Sequence, residues 1–302
     1  MLSVLLSVSL AVASEVPQRP AGPAPAPPAA TAAPVTASAP VSPLVAALQR
    51  GDEHYARRGE GGRGAVADPS HIEAAIGEYR RALALDWSSL EARLRLLRAF
   101  FFRTGFCGPM DGRAEVALYD EAKRLAEETV ALLDTETGRH KARVDGDAGR
   151  AVLPAAEVYL WAAVSWGQWA VYHRVSAAWQ GAPKRIRDLG QAVLTIDPGA
   201  AQAGAYIILG RLHCEAPRIP MMTLWVSRQK GVAYLRQGLA RAPDNQAIVF
   251  FLADALLSWE PERRDEARAL LQRCANAQPR PAFVIEDQHY AQQARERLAA
   301  LR

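Results

Sequence analysis

His213 and Cys214 stand side by side, the nearest approach in this chain to a ligand or nucleophile pair. Adjacent residues do not share a helix face, so the pair has the wrong spacing for two metal ligands. The six histidines contain no HExxH and no i,i+4 pair, and no metal site is expected. The three cysteines, Cys107, Cys214 and Cys274, form no CxxC. An exported chain can join two of them and leave one free, or each can be a small buried helix residue. No Ser/His/Asp or Cys/His set is recognisable. The glycine run at 59–64 (GEGGRG) has no strand before it and no Lys-Ser/Thr after it, which makes it a loop and not a phosphate cradle. Asp111 with Glu115, and Asp120 with Glu121, read as solvated helix faces, because a catalytic carboxylate pair needs a cleft to shift its pKa. The chain reads as a non-enzyme with no catalytic residue and no cofactor.

The remaining candidates are apolar. Residues 159–179 carry a cluster that includes Trp161, Trp166, Trp169, Tyr172 and His173. Core packing is one reading, since a helix apolar on two faces is buried on both sides. Lining of a groove or tunnel is the other, because aromatic rings anchor protein partners and apolar ligands alike. Met221, Met222 and Trp225 follow a Pro-rich break, and such a segment forms either an adaptable lip over a groove or a buried insertion. Lys184, Arg185 and Arg187 open a helix, where the dipole disfavours cations. An acidic partner would explain that placement, and so would chance.

The elements that position these residues follow from a recurring phrase, a helix that ends in an Ala/Leu-rich turn before Asp-Pro or Ala-Pro. It occurs at 79–87, 191–198, 235–243 and, weakly, 271–279. Small residues sit where helices touch and Pro sits where a helix stops, the grammar of stacked tetratricopeptide hairpins. Helices are expected over 44–58, 71–86, 88–104, 115–133, 155–174, 184–196, 201–214, 225–242, 245–259 and 263–275. A polar-faced cap helix is expected over 287–301. Ser70 and Ser88 are the expected N-caps of two of them. Residues 134–154 read as a loop. The expected fold is all-α, a tetratricopeptide-like right-handed superhelix with insertions. Such arrays usually bind other molecules.

Residues 1–13 read as a signal peptide, with an apolar run from Leu2 to Ala13 ending in Ala-Val-Ala. A misassigned start of a cytoplasmic protein is the competing reading. Residues 14–43 form a Pro/Ala-rich tether or a featureless leader, and 44–302 the helical domain. Periplasmic or other export follows from the first reading, and no lipid-attachment Cys follows the apolar run. The formal charge of +4 (36 basic, 32 acidic) is interspersed along helices, which argues against nucleic-acid binding.

The ordered phrases at 79–85, 155–172, 186–198, 203–212 and 231–243 resemble the TatT family of periplasmic tetratricopeptide-like proteins associated with TRAP (tripartite ATP-independent periplasmic) transporters. They are also similar to the regulator of microtubule dynamics family. The resemblance implies an all-helical scaffold that forms an oligomer and docks an extracytoplasmic substrate-binding protein. It also implies room for a hydrophobic ligand. The candidate partner- or ligand-binding set is Trp161, Trp166, Trp169, Tyr172, His173, Arg211, Met221, Met222 and Trp225, with Arg211 drawn from the 203–212 phrase. A carrier or sensor of a small apolar ligand is the alternative function.

Overall fold

The computed structural model describes residues 42–135 and 155–301. Among the described residues, twelve α-helices stack as hairpins and no β-strand occurs. α1 (Pro43–Ala56) pairs with α2 (Pro69–Leu85), and α3 (Leu90–Phe106) with α4 (Gly112–Leu133). α5 (Ala155–Tyr172) packs on α4 and, across the short α6 (Arg174–Trp179), on α7 (Ala182–Ile196). α8 (Ala200–Glu215) pairs with α9 (Arg228–Arg241), α10 (Gln246–Trp259) with α11 (Arg264–Asn276), and α12 (Val284–Ala299) closes the order. Residues 136–154, most of the expected loop, lie outside the described residues.

Local chemistry accounts for most boundaries. Ser42, Asp68, Ser89, Ser227 and Asn245 each accept a backbone N–H of the turn they open. Two expected caps are displaced. Pro69 takes the first helical position of α2, so Asp68 is the cap and the Ser70 N–H donates to it at 2.9 Å. Ser88 is held by Asp86 in a tight turn, which leaves Ser89 to cap α3. The expected single helix over 155–174 ends at Tyr172. His173 leaves the helical region (φ −108°, ψ 45°) and the chain restarts as α6.

α8 begins with an unexpected turn. Ala201, Gln202 and Ala203 lie in the left-handed region, with φ of 51°, 53° and 63°. Each costs about 1–2 kcal/mol for an L-residue with a side chain, so tertiary contacts must hold the turn. Asn245 Nδ2 donates to the Gln202 carbonyl at 3.1 Å, and Arg280 donates to its side-chain oxygen.

The stack closes on itself. Arg58, just past α1, donates to Glu286 of α12 at 2.8 Å and to the carbonyls of Tyr55 and Ala282. Phe106 at the end of α3 meets His289 edge-on at 5.2 Å. The expected polar cap helix is therefore corrected. α12 is wedged between α10–α11 and the α1–α3 end, and Ile285, Glu286, Asp287 and Tyr290 are buried. Its two buried carboxylates each have an arginine, Arg58 for Glu286 and Arg280 for Asp287.

Candidate functional site

The aromatic residues of α5 divide between two seams. Trp161 is 1% exposed and packs edge-on against Phe101 of α3 at 5.4 Å. Arg211 of α8 is buried, lies 4.1 Å over Phe251 of α10, and pairs with Glu215. Phe251 in turn meets Tyr290 of α12. With the Phe106–His289 contact, these rings form a belt along the inner helices α3, α5, α8, α10 and α12. The inner face of the superhelix is filled by its own side chains, and Trp161 and Arg211 offer almost no area to another molecule.

Trp166 and Trp169 occupy the α4–α5 seam. Lys123 lies over both rings at 4.2 and 4.9 Å, and Trp169 Nε1 donates to Asp120 at 2.8 Å. Tyr172 emerges at the end of this seam, stacked on Tyr119 at 4.5 Å and donating to Glu115. His173 stacks on Trp169, with Nε2 3.1 Å from Asp120. Tyr172 and His173 thus reach the surface, whereas the two tryptophans are buried.

Met221, Met222 and Trp225 lie together between α8 and α9, in a segment folded on itself. The Ile219 N–H donates to Thr223 Oγ1 at 2.7 Å, and Trp225 Nε1 donates to the Met222 carbonyl. Met221 sits at φ 64° and is 98% exposed. Trp225 is pinned by Arg187 of α7 at 4.4 Å and by His213 at 5.4 Å. Arg228 donates to the His213 and Ala216 carbonyls, so its charge faces the C-terminus of α8, where the helix dipole favours a cation. It also lies 4.4 Å over Trp259. Between these groups is a cleft of about 620 Å³ lined by Arg218, Trp225, Arg228, Lys230, Trp259 and Glu260.

The whole region is basic. Residues 172–187 and 216–230 carry seven basic and no acidic side chains, whereas the entire chain nets only +4. Arg174, Arg185, Arg218, Arg228 and Lys230 make no ion pair among the described residues. Among the described residues, the same segments hold half of the twelve exposed large apolar ones: Tyr172, Val175, Trp179, Met221, Met222 and Leu224. Val175, Trp179, Arg218, Arg228 and Trp259 were not legible as surface residues. Only the Pro-rich break before Met221 and the charge run at 184–187 pointed toward them.

His213 supports the cleft from below. Its Nδ1 accepts the Ser227 N–H at 3.0 Å, so the ring is neutral in this arrangement. Burial, with Lys230, Arg187 and Arg228 nearby, pushes its pKa down to about 4. The unfolded chain takes up this proton first. Stability is therefore full above about pH 6.5 and falls as pH drops toward 4, by up to about 3 kcal/mol. Urea unfolding across that window should show the slope, and His213→Asn, which keeps an acceptor for Ser227 but does not titrate, should flatten it. An unchanged slope in the variant would move the titration elsewhere.

Cys107, Cys214 and Cys274 are free thiols, with pKa values pushed up to about 12 by burial. No group of three or more His, Cys, Asp or Glu among the described residues could hold a metal ion. No described helix is long and apolar enough to cross a membrane.

No family model matches the chain, and no curated protein does. Among solved structures it is similar to TTC0263, a thermophilic TPR protein of Thermus thermophilus, at 18% identity and a TM-score of 0.50, over 85% of this chain and 97% of that one. The MamA protein matches at 14% identity and a TM-score of 0.41, over 85% and 94%. Hairpin order, capped and Pro-terminated helices and the first of these likenesses agree: the chain has a tetratricopeptide-type superhelical fold.

Proposed function

We propose that the protein is a non-catalytic helical-repeat scaffold that binds a partner protein in the cleft between the Met222–Trp225 segment and Trp259. The cleft itself carries the reading. It joins two tryptophan faces to three cations on the outside of a stack whose inner face is occupied. Aromatic and arginine side chains at a concave surface are the usual anchors of protein interfaces. The positive wall favours an acidic partner surface. The resemblance to the TatT family suggests the substrate-binding protein of a TRAP-type uptake system as that partner, in the periplasm. An export segment at 1–13 and a tether at 14–43 fit the same reading. The rings expected to line a ligand cavity are packed against their neighbours, so no observation favours the carrier alternative.

A pull-down from periplasmic extract with residues 42–302 as bait tests the proposal. An extracytoplasmic substrate-binding protein should be retained, and Trp259→Ala or Met222→Glu should reduce its recovery by about tenfold or more. Retention of only a small apolar molecule would replace the scaffold reading with the carrier. Retention of only the chain itself would assign the cleft to self-association.

A further inference from the structure

We propose that the rim formed by α6 and the Met221–Leu224 tip docks on the surface of an anionic lipid bilayer. The inference stands apart from the cleft and its partner, because the side chains that carry it lie outside the cleft lining, Arg218 and Leu224 excepted.

α6 is six residues long and buries only Ala177. Val175 and Trp179, four residues apart, share a face, and they are 73% and 85% exposed. The Met221 tip belongs to the same end of the molecule. α6 runs into α7 through Gln180 and Gly181, and Arg187, in the second turn of α7, holds the Trp225 ring that anchors the tip. Around the tips stand Arg174, Lys184, Arg185 and Arg218, all exposed. Only Lys184 has an acidic partner among the described residues, Asp188.

Trp179 and Met221 are nearly as exposed as free side chains, so each is a protrusion and not the wall of a groove. A protein would need a separate pocket for each. The boundary between headgroups and acyl chains accepts Trp, Val and Met without shape matching, while the cations beside them meet anionic headgroups. Charge complementarity therefore selects a bilayer surface carrying anionic lipid.

Co-sedimentation of the full chain with phosphatidylcholine vesicles, with and without about a quarter phosphatidylglycerol, tests this. The apolar run Leu2–Ala13 contributes equally in every variant, so differences report the rim. The full chain should partition more strongly into the anionic vesicles, and less so as salt rises. A Val175→Ser/Trp179→Ala/Met221→Asp variant should lose about tenfold or more of that partitioning with an unchanged Tm, since these side chains pack on little. A Lys184→Glu/Arg185→Glu variant should lose the preference for anionic lipid. Wild-type partitioning in the triple variant, or equal binding to both vesicle types by the unmodified chain, overturns the proposal. Capture on polyglutamate beads without vesicle binding overturns it too, assigning the rim to an acidic protein.

Discussion

Replacing Arg58 with alanine should lower the unfolding free energy by about 3–5 kcal/mol. Arg58 joins the first and last of the described helices. Its Nε and Nη2 donate to Glu286 at 3.2 and 2.8 Å, its guanidinium lies over the Tyr55 and Phe102 rings, and further N–H groups reach the Tyr55 and Ala282 carbonyls. Both charged groups are buried. The intact pair gains little over apolar residues of the same shape, but one charge left alone is costly. Burial already pushes the Glu286 carboxyl above the usual carboxylate range, against the opposing pull of Arg58. Without Arg58 that rise grows, and folding takes up a proton. The variant should therefore be most stable below the unfolded carboxylate pKa and lose stability as pH rises through the raised value. Urea unfolding at about pH 4.5 and 7.5 would show the variant's deficit widening toward the higher pH. An Arg58→Met/Glu286→Leu chain should recover most of the loss. A deficit under about 1 kcal/mol at neutral pH would mean that the ends are held by apolar packing alone.

Gly231→Ala should cost about 3 kcal/mol, although alanine is the better helix former by about 1 kcal/mol. A methyl on Gly231 would overlap Cys214 Sγ and lie 2.8 Å from the Gly210 carbonyl and 3.0 Å from the Cys214 nitrogen. Two of these are backbone atoms of α8, so no rotamer change relieves the contact and the α8–α9 pair must separate. Gly77→Ala is the matched control. It lies on the open face of α2 with nothing within 4 Å of the added carbon, and it should stabilise by about 0.5–1 kcal/mol. Thermal and urea unfolding of both variants measure the two signs. A Cys214→Ala/Gly231→Ala chain should recover only part of the loss, because the Gly210 carbonyl remains in the way. Full recovery would show the sulfur to be the whole obstacle.

Much of the fold was written locally. The apolar double face of residues 155–172 marks a buried helix, Asp197-Pro198 stops α7, and Asn245 caps α10. Helical periodicity, capping side chains and Pro stops act within a few residues, so these features read off the chain directly. Even the shift of two caps was a matter of one or two positions. The candidate site was less legible. Trp166, Trp169 and Trp179 look alike in sequence, yet the first two are sealed by α4 while the third faces solvent. Which ring is covered depends on a neighbour brought in from distant sequence, not on the ring.

The amino-acid sequence by itself determined an all-helical chain of stacked hairpins, because the period, the stops and the small contact residues are local. Only the tertiary structure decided that the stack closes through Arg58 and Glu286, 228 residues apart. It likewise decided that α12 buries one face, that Ala201–Ala203 turn left-handed, and that the inner face holds the chain's own aromatic rings. In each case a polar, strained or aromatic group is tolerated only because a distant element supplies its partner. Such pairing is a property of the assembled helices, and no window of the sequence contains it.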